Sequence, residues 1–380
     1  MTGPGTQTAL CIVRLTSFFI LVALAACSAP ARIVPPNAGL TQAVSVTAHP
    51  IYVAESCEPG STSCSQTNGL VYQLGGRTIT DGIANPVAMA VDKSGNLFVS
   101  NSITVDSGNI TVYQAGSGRL LRTLAGFKGV SYALVFSPGG NLYVVSHYKD
   151  GCCNIKGSIA VYAPGGTHPV HRLSGVGAFP GKPAFDAARN LYVPNFYNFP
   201  GFITEYAPRA TTPFRAISKG IGFPLALAFG GHGQLYVLNG VFGGGTDVLV
   251  YAHAHRSVTR TITAGVSNAS AIALDLHGNL YVANRGEKKT PASVTVYEPG
   301  ASKPVRTLRT GIRDPVALAF DAGGNLYVAN APVKGPNTVT VYPPNAERPE
   351  TTYDLADGAT ALTSDFLHIP ELASRNEAVH

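Results

Sequence analysis

The feature that most constrains the fold is a seven-residue motif that the chain repeats. Gly-Asn-Leu-Tyr-Val-Ala-Asn occupies residues 278–284 and again 324–330, and close variants occupy 95–101 and 140–146. A fixed period of this kind is typical of repeat architectures, in which each period is one structural unit. With looser copies included, the aromatic position falls at steps of 44 to 49 residues, at Tyr52, Phe98, Tyr143, Tyr192, Tyr236, Tyr281 and Tyr327.

Four short apolar segments recur within each period. In the last period they lie at 317–321, 326–328, 339–342 and 352–355. Each is rich in β-branched or aromatic residues and is bounded by Gly, Pro, Asn or Asp, which indicates strands joined by turns. We name these strands A to D. The A–B connection reads Asp-x-x-Gly-Asn, which predicts a hairpin turn capped by the Asp side chain. Four strands per period predict the blades of an all-β propeller.

The two chain ends decide the predicted number of blades. The N-terminal part supplies B, C and D strands at 51–53, 70–72 and 77–80, and the C-terminal part supplies an A strand at 359–365. Because these fragments complement each other, we predict a seven-bladed β-propeller over residues 45–366, closed by N- and C-terminal strands that share one blade. Residues 367–380 lack the repeat and are predicted to be a tail.

The N-terminus predicts export. An apolar run at 18–26 follows Arg14 and is too short to be a permanent membrane span. Leu24-Ala25-Ala26-Cys27 resembles the bacterial lipobox, in which the cysteine is lipidated. We therefore expect a signal peptide at 1–26, a lipidated tether at 27–44 and a membrane-anchored lipoprotein in the periplasm or on the cell surface. An ordinary signal peptide is the alternative.

Cysteine usage agrees with export. Beyond Cys11 and Cys27, four cysteines remain, and an even number in an exported chain indicates disulfides. Cys57 with Cys64 would close one loop, whereas Cys152 with Cys153 would form a strained vicinal ring, and the pairing is left open. The net charge of +6 is too small to indicate nucleic acid, and we expect a monomer.

Binding residues are expected on the face that carries the B–C and D–A loops, because these loops vary while the other face keeps its short turns. His147, Tyr148, Phe196, Tyr197 and Phe199 form the predicted ligand surface, with simple solvated loops as the alternative. Residues at the start of the A strands could line the channel, and these are Asn85, Ser131, Lys182, Asn268, Ser270 and Asp314. Asp314 is the one carboxylate in this set, and paired acid–base catalysis needs a second group, so we do not expect such catalysis here.

Two sets of equivalent polar residues have competing interpretations. Six arginines on the D strands could form a basic rim for a polyanion, although charges on outer strands also prevent edge pairing. The B strands end in polar residues that could bind a divalent cation, but we favour hydrogen bonding to their own loop backbone. These residues are Glu55, Asn101, Ser146, Asn195, Asn239, Asn284 and Asn330, and the arginines are Arg77, Arg122, Arg172, Arg215, Arg260 and Arg306.

The complete repeat unit, clearest at 315–342, resembles the NHL-repeat propellers. It is also similar to the wider group that contains streptogramin lyases and the senescence-marker/gluconolactonase family. The resemblance covers about residues 45–365 and implies the propeller fold. The chain has Asn at several B-strand ends where NHL repeats usually carry Asp, and it lacks the lyase histidine and lactonase metal motifs, so no active-site residue is carried over.

These observations predict a lipid-anchored binding or scaffold module at the cell envelope, with a protein, peptide or glycan as partner. The alternative is a metal-dependent lyase or lactonase with its site at the channel mouth and a divalent cation as cofactor.

Replacing Cys57 or Cys64 by Ser is expected to lower the melting temperature without changing the fold, because a disulfide restricts the unfolded chain. Thermal unfolding of both variants and of the unmodified chain, each with and without reductant, measures this effect. Equal melting under reducing and oxidising conditions would contradict the Cys57–Cys64 bond.

Overall fold

The computed structural model describes residues 52–56, 69–74, 76–104, 107–151, 154–196, 200–241, 245–252, 257–287, 289–332, 335–355 and 359–363. The predicted signal peptide, Cys27, the tether and the tail lie outside these ranges. So do Cys57, Cys64, Cys152 and Cys153. No helix in the described ranges is long and apolar enough to cross a bilayer.

Twenty-eight strands make up the described chain. The first half contains β1 (Tyr52–Ser56), β2 (Gly69–Gln73), β3 (Thr78–Ile79), β4 (Pro86–Val91), β5 (Leu97–Thr104), β6 (Ser107–Tyr113), β7 (Leu120–Leu124), β8 (Val130–Phe136), β9 (Leu142–Asp150), β10 (Asn154–Tyr162), β11 (His171–Arg172), β12 (Ala184–Phe185), β13 (Leu191–Asn195) and β14 (Phe202–Tyr206). The second half contains β15 (Arg215–Ile217), β16 (Phe223–Phe229), β17 (Leu235–Gly240), β18 (Thr246–Tyr251), β19 (Val258–Ile262), β20 (Ala269–Leu274), β21 (Leu280–Asn284), β22 (Ser293–Tyr297), β23 (Arg306–Leu308), β24 (Pro315–Phe320), β25 (Leu326–Asn330), β26 (Thr338–Tyr342), β27 (Thr351–Asp354) and β28 (Ala359–Thr363).

These strands form seven four-stranded antiparallel sheets, which are the blades of a β-propeller. Blade 1 has the order β28-β1-β2-β3, and blades 2 to 7 follow in chain order. In blade 1 the C-terminal strand pairs with the N-terminal one, with Val53 opposite Leu362. The predicted fold class, the blade count and the shared blade are therefore confirmed. The shared blade closes the ring and leaves no sheet edge between the chain ends.

The A–B turns follow the predicted chemistry. In blade 7, Asp321 Oδ1 accepts a hydrogen bond from the Asn325 backbone N–H at 2.8 Å, and the Asn325 amide donates to Oδ2. Gly324 has a φ of 81°, a left-handed conformation that glycine adopts without a Cβ clash. In blade 4 Arg189 takes the glycine position with a φ of 68°.

Aromatic side chains pack neighbouring blades together. At four blade junctions the B-strand aromatic of one blade contacts a phenylalanine at the end of the next A strand. Tyr281 and Phe320 have ring centroids 5.0 Å apart in an edge-to-face arrangement, and Phe98 and Phe136 repeat it. Edge-to-face pairs of this kind add favourable electrostatics to the burial of apolar area. The hydrophobic core therefore lies between blades rather than at one centre.

A tyrosine at the end of each C strand in blades 2 to 7 holds the linker that enters its blade. Each hydroxyl donates to a backbone carbonyl just after the preceding D strand, at 2.6–2.8 Å in five blades. Burial raises the pKa of Tyr113, Tyr162 and Tyr251 to about 12. The tyrosines are Tyr113, Tyr162, Tyr206, Tyr251, Tyr297 and Tyr342.

A buried asparagine holds the other end of the same linker. Asn330 accepts a hydrogen bond from the Arg313 backbone N–H at 3.0 Å, and its amide donates to Thr338, Thr340 and the carbonyl of Val328. Equivalent linker bonds are made by Asn101, Asn195, Asn239 and Asn284. We expected these asparagines to bond the backbone of the loop that follows them. That expectation is wrong, because each side chain accepts its hydrogen bond from the D–A linker, 17 or 18 residues earlier.

Asn330→Ala is expected to lower the free energy of unfolding by about 1–3 kcal/mol, because the partly buried Arg313 N–H loses its acceptor and Thr338 and Thr340 lose the amide donor. Urea unfolding of the variant measures the loss. Asn154→Ala is the matched control, because Asn154 is exposed, and its expected effect is within about 0.5 kcal/mol. Equal losses in the two variants would contradict the role of the linker bond.

Candidate functional site

The seven A strands surround the central channel. Neighbouring A strands contact each other around most of the ring, as β4 does with β8 and β16 with β20. Their side chains remain partly exposed in β16, β20 and β24, although both sheet faces are covered by neighbouring blades. These side chains pack against the hydrophobic cores between blades and keep part of their surface exposed, and their strands are the innermost of each blade.

One level of the channel wall is alanine in every blade except blade 4. The level is defined by pairing with the second-last residue of the repeated motif or its equivalent, as Ala317 pairs with Ala329. In blade 4, Pro180 bridges Asn195 and Ala184 pairs with Tyr192, which places Lys182 at this level. The six alanines are Ala88, Ala133, Ala226, Ala271, Ala317 and Ala361.

Prolines shape the chain around Lys182. Pro183 follows it, and Pro194 lies opposite on β13, where the Gly181 N–H donates to the Pro194 carbonyl at 2.6 Å. Proline has no N–H to donate to a strand ladder, so β12 shortens to Ala184–Phe185. Pairing is therefore interrupted at the level where the lysine stands.

Lys182 is a cation at the A-strand level of blade 4 and forms no ion pair with another described residue. The residue is exposed, yet desolvation by the surrounding protein lowers the pKa of its ammonium group, and no charged or hydrogen-bonding described residue contributes to that shift. The ammonium group is thus accessible to solvent, while the surrounding protein makes its charged form less favourable than in water. Lys182 can therefore bind an anion, or act as a neutral amine more readily than an ordinary lysine.

The wall next to Lys182 is apolar. The following level carries large apolar residues in the blades around the ring. Leu227, Ile272 and Leu318 of this level are only partly buried. No A strand contains Asp, Glu, Lys, Arg or His. At the same level Met89, Leu134 and Pro183 are buried, so the partly exposed apolar residues lie on blades 5 to 7.

The second predicted channel charge, Asp314, is compensated. Arg285 of the preceding blade binds it through two nitrogens, with Nη2 and Oδ2 2.9 Å apart. Asp314 has a φ of 48°, and Asn85 and Asn268 occupy the equivalent position with φ values of 50° and 48°. Asn and Asp tolerate this left-handed conformation, so the residue types follow from backbone geometry. The left-handed backbone therefore accounts for the Asn or Asp found at this position.

Four aromatic rings form a continuous row on the loop face of blades 3 and 4, which we call the aromatic row. The ring centroids of Tyr132 and His147 are 5.1 Å apart, those of His147 and Phe179 5.3 Å, and those of Phe179 and Phe196 6.1 Å. All four residues are partly exposed. Two of them, His147 and Phe196, belong to the predicted ligand surface.

The long β9–β10 hairpin projects beside this row. Tyr148 lies under the Lys128 ammonium group, 4.9 Å from ring centre to nitrogen, and Lys156 forms an ion pair with Asp150. Ser146 replaces the linker-binding asparagine in blade 3 and donates to the Ser158 carbonyl at 3.5 Å. Tyr197 and Phe199 lie outside the described residues, so only part of the predicted surface can be placed.

Several other charged groups are already paired. Arg122 lies over the Phe98 ring, Arg306 donates to the Tyr281 hydroxyl, and Arg215 forms an ion pair with the buried Glu205. These contacts place the outer arginines over the blade faces. In the described ranges, no group of three or more His, Cys, Asp or Glu residues could hold a metal ion.

Sequence reasoning missed Tyr132 and Phe179. Neither belongs to a variable B–C loop, because Tyr132 lies in β8 and Phe179 in the linker before Lys182. Their proximity depends on the docking of blade 3 against blade 4, which the repeat pattern does not encode. The singular position of Lys182 could have been found by aligning the A strands.

No protein-family model matches the chain, and neither does any curated protein sequence. Solved structures are similar in fold. Hydrazine synthase of Kuenenia stuttgartiensis is 20% identical, with 72% of this chain and 80% of that chain covered and a TM-score of 0.58. A putative 6-phosphogluconolactonase of Bacteroides uniformis is 15% identical, with 83% and 99% covered and a TM-score of 0.59.

A protein from Lactobacillus plantarum is 13% identical, with 83% of this chain and 98% of that chain covered and a TM-score of 0.61. At such identities the similarity establishes the β-propeller fold alone.

Proposed function

We propose that the chain is an exported, lipid-anchored β-propeller that serves as a binding or scaffold module at the cell envelope. The aromatic row binds its partner, a protein, peptide or glycan. The observation that carries this proposal is the contact of four partly exposed rings on the face with variable loops. Aromatic rings offer large contact area and few rotamers, which suits recognition.

The backbone beneath the aromatic row is fixed before any partner binds. The Tyr132 hydroxyl donates to the Pro180 carbonyl, and the Phe196 N–H donates to the Phe179 carbonyl at 3.2 Å. Asn195 holds the Gly177 N–H of the same linker at 2.8 Å. A preorganised surface loses little conformational entropy on binding, which favours affinity.

The membrane anchor is the second part of the proposal and rests on the lipobox-like Leu24-Ala25-Ala26-Cys27. Cys27→Ser is expected to release the protein from the membrane fraction, because the residue loses the thiol that carries the lipid. Cys11→Ser is the matched control and is expected to leave the distribution unchanged. Cell fractionation followed by immunoblotting measures both, and membrane retention of the Cys27→Ser protein would contradict the anchor.

Phe196→Ala and Phe179→Ala are each expected to weaken partner binding roughly tenfold or more, as truncation of a central aromatic does in interfaces. The probes are the highest-affinity sequence selected on the unmodified protein from a phage-displayed peptide library and the best binder from a glycan array. Titration of each purified probe gives the dissociation constant.

Phe214→Ala is the matched control, because Phe214 is 57% exposed on the outer side of blade 4. Equal binding by the unmodified protein and the Phe196→Ala variant would contradict the proposal. The alternative of a lactonase keeps the support of one neighbour's description. Hydrolysis of 6-phosphogluconolactone that depends on an added divalent cation and survives Phe196→Ala would favour it.

A further inference from the structure

We propose that the central channel is a second binding site, which takes an amphiphilic carboxylate such as a medium-chain fatty acid. The carboxylate binds Lys182, and the alkyl chain lies along the apolar A strands. This site lies inside the ring, whereas the aromatic row lies on its face. The inference goes beyond the function proposed above and does not depend on it.

The first argument is the uncompensated charge. Lys182 replaces an alanine that all other blades carry at this level, and no described residue pairs with its ammonium group. Asp314, the other predicted channel charge, is held by Arg285. A cation surrounded by apolar protein is destabilised unless an anion joins it. A bound carboxylate would supply charge-assisted hydrogen bonds and remove this penalty.

The second argument is the apolar wall. Leu227, Ile272 and Leu318 lie on the innermost strands of three consecutive blades, where they pack against the cores between blades and remain partly exposed. Exposed apolar surface in an enclosed space favours an apolar occupant over water. A strand of six residues such as β24 spans roughly 20 Å, which leaves length for an alkyl chain along the axis. One cation beside such a wall matches one anionic head and one apolar tail.

The direction of the pKa shift at Lys182 supports the same assignment. Desolvation lowers this pKa from the ordinary 10.5, and no charged residue in the described part of the chain offsets it. Titratable groups on the neighbouring elements include Tyr132 of β8, His147 of β9, Tyr192 of β13 and Asp186 after β12. Tyr132 donates to the Pro180 carbonyl, Tyr192 donates to Glu205, and Asp186 accepts from Asn190. None of the four contributes to the shift.

The test uses the chain from residue 28 onward, which keeps every described strand of the closed ring. Isothermal titration measures binding of decanoate, octanoate and decyltrimethylammonium. We expect decanoate to bind roughly tenfold tighter than octanoate, because each buried methylene adds about 0.8 kcal/mol. The cationic amphiphile is expected to bind at least about tenfold more weakly than decanoate, because its head repels Lys182.

The variants separate the lysine from the wall. Lys182→Ala is expected to weaken decanoate binding about tenfold or more, and Lys182→Arg to keep it within about threefold, because a hydrogen bond between charged groups is lost only in the first. Lys303→Ala, at an exposed position in a C–D turn, is the matched control and is expected to change nothing. Thermal unfolding of each variant establishes that the ring is intact.

Raising the pH gives an independent readout. From about pH 8 upward, above the ordinary histidine range, decanoate affinity is expected to fall as Lys182 loses its proton, at a pH below 10.5. Arginine keeps its charge throughout this range, so Lys182→Arg is expected to show a flat profile.

Three results would overturn the inference. Equal decanoate affinity in the unmodified protein and in folded Lys182→Ala would remove the lysine from the site. Equal affinity for octanoate and decanoate would leave an anion site without an apolar channel. Absence of decanoate binding would refute the site itself, even if the aromatic row binds its peptide or glycan probe.

Discussion

Docking of successive blades depends on the linker that joins them. In blades 2 to 7 a buried tyrosine fixes the start of the incoming linker through its hydroxyl, and in all of these except blade 3 a buried asparagine fixes the end of the linker. Most of these hydrogen bonds are 2.6–3.0 Å long. Both side chains belong to the blade that the linker enters, so each blade holds the exit of its predecessor. Backbone groups buried between sheets would otherwise lack partners, which costs free energy. The repeat therefore conserves this chemistry within one chain.

Blades 3 and 4 are where this regularity changes. Ser146 stands in place of the asparagine in blade 3, and its hydroxyl turns to the carbonyl of Ser158 in its own hairpin. Pro183 and Pro194 interrupt pairing in blade 4, beside Lys182. These departures lie next to the aromatic row. A repeat that departs from its own pattern at adjacent blades indicates a local requirement other than stability.

The aromatic row and Lys182 differ in the kind of ligand that they suit. Rings such as Phe179 and Phe196 stand on a fixed backbone at the face, so they suit a large partner. Lys182 stands among apolar residues inside the ring, so it suits a small ligand with one negative charge. Desolvation strengthens electrostatic attraction inside the channel, whereas charges on the open face are screened by water and salt.

The sequence by itself determined the strands, the turns, the seven blades and the closure by both chain ends, because a blade is a local unit whose period and turn residues are written in consecutive positions. It also marked His147, Phe196 and Lys182 as candidates. Only the tertiary structure decided that the asparagines bind linkers, that Asp314 is neutralised by Arg285, and that Tyr132 and Phe179 complete the row. Each of these contacts joins residues on different strands or linkers, and their distance depends on blade docking, which no local pattern specifies.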